Sequence, residues 1–448
     1  MRETIFALAT APGRAALAVV RISGPGATAV LGELGGSAVR PRVASVRALV
    51  HPVSRETLDR ALVLSMPGPR SFTGEDVVEL HLHGGRAVVE AVLESLGVLG
   101  CRQAEPGEFT RRAFENGRMD LTEAEAVADL VDAESAAQRR QALDQLGGAS
   151  SQRVTAWRDG LLSALAALEA AIDFPDEDLP EAVAGRARAP LAGLAETLRA
   201  AADDLRGEKV REGYRIALVG GPNAGKSSLL NRLVGREAAI VTEVAGTTRD
   251  VIEQALEISG FKAVLADTAG LRETEERIEA EGVRRARAWA DSADLRLWVV
   301  DASAADGPWR EAAGAVRQGD FLVLNKADLT PGEDARRAGD MADALELEPI
   351  HASAADPDGL VELWAALERR IARDLEGTEA PTATRLRHRR LLGQAADHLD
   401  RALAGGGDDP ELMAEDVRLA ARALETLTGR IDAEAVLGEV FSAFCIGK

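Results

Sequence analysis

Apolar positions in roughly the first 118 residues come in short runs, such as 16–22 (ALAVVRI), 61–66 (ALVLSM) and 77–82 (VVELHL). Clusters of turn formers punctuate them: Ser23-Gly24-Pro25-Gly26, Pro67-Gly68-Pro69 and Gly84-Gly85. Short β-type runs between such breaks predict strands, and so a mixed α/β domain over 1–118. From about residue 119 to about 212 the texture changes to Ala, Leu, Glu and Gln with few β-branched runs. That density of helix formers predicts helices, interrupted at Pro175 and Pro180. Strand texture returns at 214, and helical texture resumes after about 376 and holds to the end. The expectation is one discontinuous helical domain, 119–212 plus 376–448, with 213–375 inserted into it. Compact domains accept insertions because their chain ends usually lie close together. No solenoid period or low-complexity linker is visible.

A chain of 448 residues is too long for one core, which also points to two or three domains. Its formal charge of −20 argues against a protein that coats nucleic acid by itself, since that binding rests on Lys and Arg. It leaves room for a local basic patch. The densest basic run is Arg385, Arg387, His388, Arg389 and Arg390. It suits either RNA phosphates or a solvated helix surface, and the second reading is slightly preferred. Cys101 and Cys445 are too few for a disulfide framework, so a reducing compartment is expected. No apolar run nears the ~18 residues of a membrane helix. Met1-Arg2-Glu3-Thr4 does not open a signal peptide. A cytoplasmic protein without a membrane span is expected.

The chemistry concentrates in the inserted segment. The strand-like run 215–219 leads into Gly220-Gly221-Pro222-Asn223-Ala224-Gly225-Lys226-Ser227 and an amphipathic helix from Ser228. This is the phosphate-binding pattern GxxxxGK[ST] in its strand–helix context. Glycines let backbone N–H groups wrap phosphates, Lys226 is expected to reach the β- and γ-phosphates, and Ser227 to ligate Mg²⁺. A second run, 263–266, leads into Asp267-Thr268-Ala269-Gly270. There a carboxylate can hold the Mg²⁺ shell and a glycine N–H can sense the γ-phosphate. A third, 321–324, leads into Asn325-Lys326-Ala327-Asp328. The Asp328 carboxylate can accept guanine N1–H and N2–H₂, a donor pair adenine lacks, so the expected nucleotide is GTP. Ser353-Ala354 would support the base from behind, and Thr248, in Gly246-Thr247-Thr248-Arg249-Asp250, is the natural second hydroxyl on Mg²⁺. Motif order and spacing are those of small GTPases. Leu271, however, stands where Ras-like enzymes carry the glutamine that positions water. An arginine finger alone supplies roughly 4–7 kcal/mol, so another group must stabilise this transition state.

Beyond these motifs the chain carries Val20-Arg21-Ile22-Ser23-Gly24, Ser71-Phe72-Thr73-Gly74-Glu75-Asp76, Pro106-Gly107-Glu108-Phe109-Thr110, the run 118–126 (RMDLTEAEA), Ile172-Asp173-Phe174-Pro175-Asp176 and the terminal Phe444-Cys445-Ile446-Gly447-Lys448. With these companions it resembles the MnmE (TrmE) family of tRNA-modification GTPases over essentially its whole length. The resemblance implies an α/β multidomain protein. Its parts would be a folate-binding, dimerising N-terminal domain, a discontinuous all-α domain and an inserted Ras-like G domain that dimerises transiently. It implies work with a flavin-dependent MnmG (GidA)-type partner, which would carry the FAD. Together they would add a carboxymethylaminomethyl or aminomethyl group to C5 of the wobble uridine of certain tRNAs, using a folate one-carbon unit. It implies K⁺ in place of the arginine finger, on Asn223, Thr242, Val244 and Thr247, and Glu279 as the residue that orients water through a bridging water. From the residues alone, Glu279 is one of several acids on a solvated face. It implies 5-formyltetrahydrofolate or a relative on Arg21, Glu79, Arg118 and Lys448, with Arg118 where the family often has lysine. Glu79, His81 and His83 also read as plain exposed alternation on one strand, which is preferred to a metal site for the histidines. Cys445 reads equally as a buried small residue or as a group beside the transferred carbon; Cys101 reads as structural. A different class, a switch GTPase of ribosome or RNP assembly, would share the G motifs but not the folate-type domain or the Cys-Ile-Gly-Lys terminus.

Overall fold

The computed structural model describes residues 3–35, 39–173, 180–236, 253–267, 287–377, 379–404, 410–431, 434–442, 444 and 446–447. The chain divides into two compact units. One gathers Met1–Val131, Gln145–Arg199 and Leu391–Lys448; the other gathers Asp132–Asp144 and Ala200–Arg390.

In the first unit the predicted runs form a six-stranded sheet. Its strands are β1 (Ile5–Leu8), β2 (Leu17–Ser23), β3 (Ser45–Val50), β4 (Thr57–Met66), β5 (Val77–His83) and β6 (Arg102–Gln103), in the order β3-β4-β5-β2-β1-β6. Period-2 patterning decides which face is buried. On β5, Val78, Leu80 and Leu82 are fully buried while Glu79 and His81 are half-buried and His83 is exposed. The buried face, with Val20 and Ile22, packs with Leu31, Leu34, Val92 and Leu96 from the helices Ala27–Glu33 and Arg86–Val98 and the turn between the first helix and β3. Farther along, the helices Ala149–Asp173 and Pro410–Thr428 lie side by side. Buried alanines and leucines line both, and Arg158–Glu425 at 2.8 Å ties them at the rim. The next helix begins at Pro180, where a missing N–H costs nothing.

The end of the chain docks back onto this unit. Phe441 and Phe444 are buried with Leu121, Ala124 and Leu437. Ile446 bridges Pro106, and Gly447, at φ 103°, lies so close to β1 that a Cβ there would fall 2.3 Å from the Leu8 carbonyl oxygen.

The second unit holds β7 (Tyr214–Val219), β8 (Glu253–Ile258), β9 (Phe261–Asp267), β10 (Leu295–Asp301), β11 (Phe321–Asn325) and β12 (Glu348–His351), ordered β12-β11-β10-β7-β9-β8. All neighbours pair in parallel except the β8–β9 hairpin. Buried clusters cover the sheet on both faces, so its central strands are nearly continuous apolar runs rather than alternating, with buried Arg296 of β10, paired with Asp320, as an exception. Besides 213–375, the unit includes 132–144 and the flanks 200–212 and 376–390. The first of these is bound to the hairpin and its neighbours by Ala137 N to Gly260 O (2.8 Å), Glu134–Lys262 (2.6 Å) and Gln138 Nε2 to Arg211 O (2.8 Å). Strand order reverses about β7. In open parallel sheets the crevice at the carboxyl ends of such strands is where ligands bind. Among the described residues no helix is long and apolar enough to cross a membrane.

Candidate functional site

The loop after β7 is shaped by close approach. At Gly220, φ 155°, a Cβ would stand 2.3 Å from the Val299 carbonyl oxygen, and at Gly225, φ 89°, 2.3 Å from Asn325 Nδ2. Side chains are thereby excluded on both sides of the loop, whose exposed tip residue Asn223 takes a left-handed φ of 62°. The loop opens the eleven-residue helix Lys226–Arg236. Lys226 is buried, and its Nζ donates to the carbonyls of Gly220 and Gly221 at 2.7 Å each. A buried ammonium among inward-turned backbone at a helix N-terminus is a cradle for phosphate oxygens.

At the end of β9, buried Asp267 accepts from Ser227 Oγ at 2.5 Å. A hydroxyl and a carboxylate converging beside the cradle are the hard oxygen donors that Mg²⁺ prefers, so the residues present fit that ion.

The third corner is made by the ends of β11 and β12. Asn325, 1 % exposed, donates from Nδ2 to the Ala224 carbonyl at 2.8 Å and so joins the base motif to the phosphate loop. Asp328 accepts from Ser353 Oγ at 2.5 Å, and Ser353 in turn accepts from the N–H groups of Ala355 (3.2 Å) and Asp356 (3.3 Å). Lys326, left-handed at φ 62°, pairs with Asp301 at 2.6 Å. The sheet therefore brings together Ala224, Gly225, Lys226, Ser227, Asp267, Asn325, Lys326, Asp328 and Ser353, with Ser228 on the helix's first turn and Ala354 beside Ser353. Thr242, Val244, Thr247, Thr248, Thr268, Ala269, Gly270 and Glu279 lie outside the described residues. Sequence reading missed Asp301 and Ser303. The available signal was a lone carboxylate closing an apolar run, the same pattern that marks Asp267.

In the first unit Arg21 and Glu79 face each other across β2 and β5, and Arg21 Nε and Nη2 both donate to Glu79 Oε1 at 3.0 and 2.9 Å. The guanidinium also lies over Phe72 (5.2 Å) and Phe109 (5.8 Å). His81 Nε2 stands 3.5 Å from Glu79 Oε2. Arg118 lies along Gly74, whose added Cβ would meet its Cγ at 3.2 Å. The docked tail comes to the same sheet: Leu8, against which Gly447 packs, follows Ala7, the β1 partner of Arg21. Cys445 and Lys448 lie outside the described residues. Cys101 is buried, and desolvation pushes its thiol up, as suits a structural cysteine. Beneath this face Arg112, 5 % exposed, is held by Glu75 (3.0 Å) and Glu108 (2.9 Å), a buried pairing the sequence did not reveal. In the basic run, His388 is fully buried and Arg389 donates to the Ala202 carbonyl and to Glu208, so neither is a free phosphate contact.

A phosphate cradle, a Ser–Asp oxygen pair and a braced Asn-Lys-x-Asp corner at the ends of a parallel sheet define a P-loop GTP hydrolase. The profile described as "GTP-binding protein TrmE N-terminus" matches residues 4–118, and that of the "MnmE helical domain" matches 121–445. Proteins called tRNA modification GTPase MnmE from Caulobacter vibrioides, Phenylobacterium zucineum and Maricaulis maris are 58%, 56% and 50% identical to this chain, each covering 100% of it and of themselves. The chain belongs to the MnmE family. A solved G domain, that of the T. maritima FeoB iron transporter, covers 36% of this chain and 99% of its own at 22% identity, with a TM-score of 0.26.

Proposed function

We propose that the protein hydrolyses GTP in support of tRNA modification at the wobble uridine, together with a flavoprotein of the MnmG (GidA) type. The observation that carries the nucleotide half is Asp328, braced by Ser353 at 2.5 Å beside Asn325, which is itself bonded to the phosphate loop. A carboxylate held in one orientation accepts two guanine donors and is left unpaired by adenine. Ser227 and Thr248, with Asp267 behind, would hold Mg²⁺, and Asn223, Thr242, Val244 and Thr247 would hold K⁺. These cations supply positive charge where phosphoryl transfer develops negative charge. Leu271 cannot orient water, and resemblance to the MnmE family is what assigns that role to Glu279. The test is direct: hydrolysis is expected with GTP and not ATP, and faster in potassium than in sodium buffer. Glu279→Ala should bind GTP normally and turn it over at least ~100-fold more slowly. Equal turnover in both buffers removes K⁺ from the scheme.

We assign 1–118 to folate binding and dimerisation, 213–375 to the nucleotide, and the helical segments to the connection between them. Support for the folate reading comes from Arg21 and Glu79, a cation and a carboxylate side by side against Phe72 and Phe109, with the chain terminus docked on the neighbouring strand. Aromatic walls suit a flat pterin, and the charged pair suits its amide and amino groups. Cys445 and Lys448 would approach from the tail. Equilibrium binding of 5-formyltetrahydrofolate checks this; no binding at high micromolar ligand would favour an assembly-type switch GTPase. Absence of any change in wobble-uridine mass in tRNA from cells lacking the chain would overturn the modification half.

A further inference from the structure

The Asn-Lys-x-Asp corner contains four side chains, and three of them have assigned partners: Asn325 with the Ala224 carbonyl, Asp328 with Ser353, and Lys326 with Asp301. The last partner belongs to none of the recognised motifs. Asp301 is the final residue of β10, in register beside Asn325 of β11. Its Oδ2 accepts from Lys326 Nζ at 2.6 Å. Its Oδ1 accepts from Ser303 N (3.0 Å) and Ser303 Oγ (2.7 Å). The chain just beyond is anchored as well: Ala302 N donates to the Asn325 carbonyl at 2.8 Å. Asp301 is thus fixed on one oxygen by its own turn and has the other aimed at the lysine.

We propose that Asp301 is a positioning residue for guanine recognition, acting through Lys326. Lys326 leaves β11 in a left-handed conformation, φ 62°, so its side chain is turned out of the strand's own alternation. A four-carbon stem in that position has many rotamers, and anchoring its far end selects one. The anchored methylenes then make a preset apolar wall beside Asp328, against which a purine can lie. Burial raises the Asp301 carboxyl, but the lysine and Ser303 bonds outweigh it and hold the group below the usual carboxylate range, so it stays ionised at neutral pH. An ordinary surface pair would do much less. The side chains are 36% (Lys326) and 23% (Asp301) exposed, and exposed pairs of this kind often contribute nothing measurable.

The inference rests on the guanine reading above, and the experiment separates the two. In full-length wild-type protein, competition of GDP and ADP for the nucleotide site tests the reading itself. Asp301→Asn is then titrated with fluorescent GDP and GTP analogues. Expected is a weakening of about tenfold for both nucleotides, because the loss is on the base side and blind to the γ-phosphate. KM should rise in step while kcat at saturating GTP stays within twofold. On a Lys326→Ala background, Asp301→Asn should add no further loss, since the lysine is the route of its effect. Ser303→Ala, which removes only the hydroxyl orienting Asp301, should weaken both nucleotides two- to threefold and decides the matter if Asp301→Asn does not fold. Affinities unchanged within twofold in a folded Asp301→Asn protein would overturn the proposal. So would a tenfold loss that persists without Lys326, or a loss confined to GTP.

Discussion

At the scale of single residues, specificity depends on how firmly a carboxylate is aimed. Asp328 is exposed to an incoming base, yet one oxygen is fixed by Ser353, which takes its own orientation from two backbone N–H groups. Only the hydrogen-bonding pattern of the base is left to choose. Asp328→Asn replaces one acceptor by a donor. GTP then loses a charge-assisted partner and meets an N–H against its own amino group. Xanthosine triphosphate, with a carbonyl at that ring position, gains one. A fall in GTP affinity of ~100-fold is expected, with xanthosine triphosphate becoming the preferred nucleotide in competition binding. Retained GTP preference would mean the base lies elsewhere. The residues of this corner could be read from the sequence because the chemistry needs particular groups at fixed spacing. Asp301 shows in the sequence only as a carboxylate closing an apolar run; its role does not, because it comes from another strand and its partner is fixed only when β10 and β11 pair in register.

Elements set these groups at one edge. Buried parallel strands appear in sequence as short apolar runs, so 215–219, 263–266 and 321–324 were visible, and the structure extends them to Tyr214–Val219, Phe261–Asp267 and Phe321–Asn325. The extra residues at the carboxyl ends, Asp267 and Asn325, are the functional ones. They look polar in a pattern, but the last ladder positions hold them. The attachment of 132–144 to the β8–β9 hairpin is not legible in the sequence, because one backbone bond (Ala137 N to Gly260 O) and one ion pair (Glu134–Lys262) between residues far apart in the chain carry no periodic signal. Between the phosphate loop and the base corner the close joint is Gly225 against Asn325. A methyl group at Gly225 would displace Asn325 Nδ2 from Ala224 and would hold an L-residue at φ 89°. Gly225→Ala is expected to cost the second unit about 1–3 kcal/mol by chemical denaturation and to abolish measurable GDP binding. Normal GDP affinity in that variant would show that the loop and base corner are not mechanically joined.

For the molecule as a whole, two textures in the sequence announced an α/β segment within helical surroundings, and the second unit closes that segment with a tie between its two ends. Tyr214, which starts β7, donates to Asp374 at 2.5 Å near the end of the helix Val361–Leu375, and Arg370 holds the same carboxylate at 2.7 Å. Burial and the adjacent Asp374 push the Tyr214 phenol well above its ordinary value. Burial opposes ionisation of Asp374, but the Arg370 and Tyr214 bonds prevail and lower its pKa. The signs follow from linkage. The Asp374 contribution is present above the ordinary carboxylate value and is lost as pH falls through the lower folded one. The Tyr214 contribution is present below about pH 10 and is lost as pH climbs toward the raised folded value. Tyr214 is the only tyrosine in the chain, so its phenolate band reports this tie alone. In the native protein that band should stay absent well above pH 10 and emerge near 10 once denaturant is added. Tyr214→Phe should flatten the alkaline loss of stability while leaving most of the acid limb, where Arg370 still holds Asp374. A native phenolate titration near 10 would mean that the two ends of the segment are not tied by this bond.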